Sequence, residues 1–173
     1  MSNLALLLIR ATLGLFMAGH GAQKLFGSFG GPGIEGTAGF MESLGLKPGK
    51  QWAILGGASE FGGGILTVLG LLNPVGLLGV IGSMLIAATK VHWNAPIWAQ
   101  EGGAEHPVTN SLVATALMIS GPGKFSLDRA FGIRVPRWIS FFGLVTVAIT
   151  VAYAWGQEAS TQSEEPTAED QGE

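Results

Sequence analysis

Two ionisable residues stand where a membrane protein ordinarily has none. Arg10 interrupts the apolar run of residues 4–22, and Glu60 interrupts the run of residues 52–72. A charge inside a membrane span costs about 2.5–3.5 kcal/mol on insertion scales, so such groups are usually paired and often functional. Arg10 lies six residues in from one end of its run, and Glu60 lies eight from the start of a run that would be antiparallel. At 1.5 Å per residue their depths differ by roughly 5–10 Å, within reach of an arginine side chain. This predicts a buried Arg10–Glu60 pair between neighbouring helices. The alternative for Arg10 is to snorkel to its own interface. Glu60 lies too deep for that and must pair, protonate or face water.

A second set of chemical groups gathers by topology. His20 ends the first apolar run, His92 ends the third and His106 opens the fourth. Helix alternation puts all three on one side of the membrane, together with Lys24, Lys90, Glu101, Glu105, Trp52, Trp93 and Trp98. Imidazole serves as ligand, hydrogen-bond donor and proton carrier, so such a face could hold a quinone head, a metal or a haem. Interfacial His and Trp are also ordinary membrane anchors, and that reading stays open. No pair of histidines has the i, i+4 spacing of a helical zinc site. Lys24 beside His20 disfavours a cationic metal and favours an anionic or carbonyl-bearing ligand. No metal ligands are therefore assigned.

The elements that must position these groups are membrane helices. The chain has 173 residues, 47% hydrophobic and 12% charged, with 28 Gly and no Cys. Soluble domains average about a quarter charged and about 7% Gly. Charge this sparse, without a Lys/Arg run, excludes a nucleic-acid partner. The lack of Cys excludes a disulfide scaffold, a Cys-ligated cluster and attached c-type haem. Five apolar stretches, residues 4–22, 52–72, 75–91, 108–120 and 138–155, approach the length of about 20 residues that a bilayer crossing needs. The fourth is short. Glu105–Pro107 extends it, since proline is tolerated in a first helical turn, and a buried half-span is the alternative. Arg10 splits what would be the core of a signal peptide, so the first helix is expected to be retained.

Small residues recur at every fourth position in Gly14/Ala18/Ala22 and Gly79/Ser83/Ala87. Such faces let helices approach closely in lipid. The run Gly62-Gly63-Gly64 after Glu60 predicts a kink or a close backbone approach. Within residues 25–51, Phe40, Met41 and Leu44 recur at helical spacing before a Gly45…Pro48 stop. This reads as a short surface helix, or else an ordinary loop. The basic loop of residues 124–137 abuts the fifth span, which favours a cytoplasmic N-terminus and loop. Residues 157–173 carry six acids and no base, the composition of a disordered tail.

Several segments resemble one family in order and spacing. They are Arg10…Gly19-His20-Gly21-Ala22-Gln23-Lys24-Leu25, Glu60-Phe61-Gly62-Gly63-Gly64-Ile65-Leu66, and Glu105-His106-Pro107 followed by a span and Gly121-Pro122-Gly123-Lys124-Phe125-Ser126-Leu127-Asp128. Together they resemble the DoxX family of small prokaryotic membrane proteins over residues 4–128. The resemblance implies an all-α membrane bundle with a four-helix core in residues 1–130. It places Arg10, Lys24, Glu60, Glu105 and Asp128 at positions the family pattern uses. Residues 131–156 depart from it by adding a fifth helix. Asp128 also has a local reading, in which Ser126 or Asp128 caps a short helix, and this structural role is preferred over catalysis.

Some members of that family are subunits of quinone-linked oxidoreductases. The resemblance therefore implies a membrane subunit of a prokaryotic plasma membrane; the residues' own chemistry makes Glu60 and His20 the candidates for handling protons. Lys24, Glu105, His106 and His92 would then face a quinone head, with Arg10 and Asp128 structural. The chain has no dinucleotide fingerprint, so electrons would come from a soluble oxidoreductase partner. The competing expectation is a non-enzymatic anchor or assembly factor for a soluble redox or stress-response partner. A homo-oligomer is compatible with either.

Overall fold

The computed structural model describes residues 2–163, with side chains described through Gln157. All its regular elements are helical. They are α1 (Asn3–Phe26), α2 (Gly33–Ser43), α3 (Gly49–Leu69), α4 (Val75–Ile86), α5 (Glu105–Ser120), α6 (Leu127–Ala130) and α7 (Trp138–Ser163). A π-helical turn, Ala87–Val91, continues α4. By length and composition Asn3–Phe26, Gly49–Leu69 and Trp138–Gln157 are long and apolar enough to cross a membrane, while Val75–Val91 is shorter. At 16 residues, α5 spans about 24 Å. It begins at Glu105 with Pro107 in its first turn, as the extended reading of the fourth stretch expects. The chain is an all-helical membrane bundle, with exposed apolar residues such as Leu15, Phe16 and Ile149 on its outer faces.

The α1–α3 seam is the tightest in the bundle. A methyl group on Gly14 would lie 2.6 Å from the Gly64 carbonyl oxygen and 2.7 Å from a Val68 methyl. One on Gly64 would meet the Ala18 backbone, and one on Gly21 would collide with the Phe61 backbone. Gly63, one position round the same helix, touches α4, where its methyl would lie 2.7 Å from the Gly76 carbonyl. The glycine run after Glu60 is thus a two-sided contact, and α3 is one uninterrupted helix across it. Gly62 itself faces open space.

The helix between the first two spans is present as α2. It buries Thr37, Ala38 and Met41 and leaves Phe40 exposed, and its core includes Leu46, Trp52 and Ala53. The fifth helix runs to Ser163, beyond the boundary near 156 read from the sequence. The acidic stretch from residue 164 lies outside the described residues. α7 packs on α4 where Gly143 receives Leu78 and Val147 meets Gly82. Its far end is latched by Gln157, which accepts from Trp52 Nε1 (3.1 Å) and donates to the Lys47 carbonyl (2.9 Å).

These contacts predict opposite outcomes at two glycines of one run. Gly64→Ala forces α1 from α3 and destabilises by about 1–3 kcal/mol. Gly62→Ala gains helix propensity of about 1 kcal/mol. Thermal unfolding in detergent should lower the midpoint for Gly64→Ala and hold or raise it for Gly62→Ala; equal shifts would contradict the packing assignment.

Candidate functional site

The two intramembrane charges do not pair with each other. Glu60 is 1% exposed and receives the Lys24 ammonium on Oε1. Lys24 lies one turn from Gly21, and a methyl on Gly57 would touch both Leu25 and the Lys24 side chain. The glycine register therefore sets Lys24 beside the middle of α3. The same register puts Arg10 against the C-terminal end of α3, roughly 12–15 Å along that helix from Glu60. Depths counted from the ends of the apolar runs miss this offset, because the offset is fixed by contacts between the helices.

Arg10 instead binds backbone carbonyls. Its Nε donates to Val68 O (3.3 Å), and its terminal nitrogens donate to Pro122 O and Phe125 O. Gly70 makes room for it. This residue ends α3 with φ +58, and a methyl on it would lie 2.7 Å from the guanidinium carbon. The guanidinium thus satisfies a helix terminus and the 121–125 turn together. Arg10 is 5% exposed, so the snorkelling alternative does not describe it.

Asp128 completes this end of the bundle. Its carboxylate accepts from the Leu72 and Asn73 backbone N–H groups at 2.8 and 2.9 Å. Its own N–H donates to Gly70 O (3.0 Å). Ser126 caps α6, accepting from Arg129 N at 3.3 Å. Of the two caps considered from sequence, Ser126 serves its own helix. Asp128 holds the α3–α4 turn, whose backbone groups no sequence pattern identifies.

At the opposite end, Lys24 and Glu60 line an open cavity of about 730 Å³ between α1, α2, α3, α4 and α7. Its walls are mainly apolar, with Phe40, Leu55, Leu78 and Val147 among them. His20 also lines it, so the structure brings His20, Lys24 and Glu60 together. Glu60 Oε2 has no hydrogen-bond partner. The side chain of Lys24 is partly exposed, at 30%, beside that of Glu60, which is almost fully buried.

His92, Glu105 and His106 are not in this cavity wall. His92 Nδ1 contacts the Gly102 carbonyl, and Glu105 accepts from Ala99 N at 2.9 Å. Both residues organise the 92–105 loop, and His106 is exposed at the start of α5. The sequence reading omitted the α7 contribution. Gly143, Thr146, Val147 and Thr150 form one cavity wall, at positions i, i+3, i+4 and i+7. Small and hydroxyl residues on one stripe of an otherwise bulky apolar helix were the available signal.

The ion pair and the Asp128 carboxylate each make a stability prediction. Lys24→Met leaves a buried carboxylate without its cation, and breaking a buried pair costs about 3–5 kcal/mol. Adding Glu60→Gln should recover much of the loss, whereas additive losses in a thermal double-mutant cycle would argue against coupling. Asp128→Asn keeps the shape but gives up one acceptor and the charge, at a cost of about 1–3 kcal/mol. A melting midpoint equal to wild type would contradict the role of Asp128 at the α3–α4 turn.

Comparison with known proteins agrees with this architecture. The DoxX family model matches residues 5–93, a region that contains Arg10, His20, Lys24 and Glu60. An uncharacterized membrane protein of Mycobacterium tuberculosis is 30% identical over 137 residues, covering 73% of this chain and 80% of that protein. No solved structure matches the chain significantly. With a family match across half its length and helices that suit a bilayer, the chain belongs to the DoxX family of membrane proteins.

Proposed function

We propose that this chain is a membrane subunit of a quinone-linked oxidoreductase system in a prokaryotic plasma membrane. It holds the quinone head at Lys24 and Glu60, while a soluble partner supplies electrons. The observation that carries the reading is the buried Lys24–Glu60 pair in the wall of an apolar cavity, with one carboxylate oxygen unpartnered. Ligand pockets combine about 300–1,000 Å³ of mainly apolar volume with a few convergent polar groups. The residues present fit a quinone on chemical grounds. A Lys24 N–H can donate to a ring carbonyl, and the walls contributed by Phe40, Leu55, Leu78 and Val147 suit a ring with an apolar tail.

A bound quinone would supply electron-accepting chemistry that consumes protons. The chain's own contribution is to orient the head and hold a proton-exchanging group there. Lys24 donates to Glu60 Oε1, and His20 on the same cavity wall is a carrier between that pair and the membrane surface. Glu105, His106 and His92 support the adjoining loop in this reading.

Quinone content provides the test. Wild-type protein purified in mild detergent should retain quinone extractable into organic solvent. The double variant Lys24→Met/Glu60→Gln should lose most of it while remaining monodisperse. Equal retention by both proteins, or none by the wild type, would defeat the proposal. A soluble protein held by a quinone-free chain would instead favour an anchor.

A further inference from the structure

We infer that the segment joining α5 to α7 is a preformed binding surface for anionic phospholipid headgroups. This surface is independent of whatever occupies the cavity, because it lies at the other end of the bundle, beside Arg10 and Asp128. Charge is divided unevenly between the two ends. Lys124, Arg129, Arg134 and Arg137 are all exposed on this segment. Its one acid, Asp128, is buried, with its carboxylate given to backbone N–H groups. The other acids of residues 2–157 fall within 35–60 and 101–105, toward the opposite end. Among the described residues none of the four basic side chains has a hydrogen bond or an ion pair. Four bases thus face outward without an internal counter-charge.

The backbone beneath these bases is already fastened. Arg10 donates to the Pro122 and Phe125 carbonyls, and Lys124 N–H donates to Asn3 Oδ1 at 2.9 Å. Asp128 N–H donates to Gly70 O (3.0 Å), and Ile133 N–H donates back to Asp128 O (2.8 Å). The segment is therefore tied to α1 and to the end of α3, which lowers the ordering cost of binding. Aromatic rings favour a membrane over a soluble acidic partner. Phe125, Phe131 and Trp138 are interleaved with the bases in sequence, each more than half exposed. Trp138 also opens α7, directly after Arg137. Aromatic side chains are enriched at headgroup depth, and bases beside a span draw anionic lipid. An acidic soluble protein would meet the charges but would also have to cover rings at the entry of a membrane helix.

Lipid retention by the full-length chain tests this. The protein is reconstituted in vesicles of equimolar phosphatidylglycerol and phosphatidylcholine with matched acyl chains. It is then purified in mild detergent, and its bound lipids are counted by mass spectrometry. Phosphatidylglycerol should be retained over phosphatidylcholine by at least about threefold at low salt, as several surface bases acting together allow. The excess should shrink in about 1 M salt, where the Debye length is about 3 Å. Arg129→Gln/Arg134→Gln/Arg137→Gln should abolish it, and Lys47→Gln/Lys50→Gln at the opposite end should leave it unchanged. If the triple variant does not fold, a phosphatidylglycerol with a photoactivatable headgroup locates the lipid on wild type. Its label should fall within residues 121–142. Equal retention of the two lipids, or an excess that survives salt or the triple variant, overturns the inference. So does labelling confined to residues 33–51. Equal retention together with binding of soluble polyglutamate overturns it in favour of an acidic protein partner.

Discussion

The close approach of α1 and α3 sets the rest of this molecule. In lipid, apolar side chains gain little by leaving the acyl tails, so helices associate through close packing of small surfaces. Gly14, Gly21 and Gly64 bring the two backbones together so closely that added methyl groups would collide with them. One register results, and it fixes the partner of every polar group along the seam. Arg10 falls at the end of α3, and Lys24 falls beside Glu60.

The two cations of α1 solve the cost of burial differently. Arg10 is spread over three carbonyls from two chain segments, a role suited to a planar fork of fixed donors. Asp128 works beside it on the α3–α4 turn. At that end Arg10 and Asp128 are satisfied by backbone groups, while the buried Thr67 Oγ1 nearby has no hydrogen-bond partner. Lys24 is a compact charge that occupies one oxygen of Glu60 and leaves the other unmatched. A charged oxygen without a partner, on a residue that lines the large cavity, distinguishes this end.

The cavity depends on more than the segments that carry the family resemblance. The family match ends at residue 93, yet α7 supplies one wall through Gly143, Thr146, Val147 and Thr150. Its latch by Gln157 to Trp52 and Lys47 ties that wall to the start of α3. The added helix therefore shapes the space next to Lys24 and Glu60, a part that its high outer exposure conceals.

The sequence alone determined the solvent and the class of fold. Apolar run lengths, sparse charge and four-residue spacing of small side chains are local properties, and local burial energetics read them directly. It also identified Arg10 and Glu60 as exceptions and pointed to the family, and it offered the α2 helix against a loop and Ser126 or Asp128 as the cap. Only the tertiary structure decided that Glu60 pairs with Lys24 rather than Arg10, because helix offset comes from contacts far apart in the chain. It likewise decided the acceptors of Arg10 and the donors to Asp128, which are backbone atoms carried by every residue and so leave no mark in side-chain identity. The grouping of His20 with the pair, and the placement of His92, Glu105 and His106 elsewhere, follow from the same cause. Alternation assigns residues to a side of the membrane, whereas packing decides which of them meet.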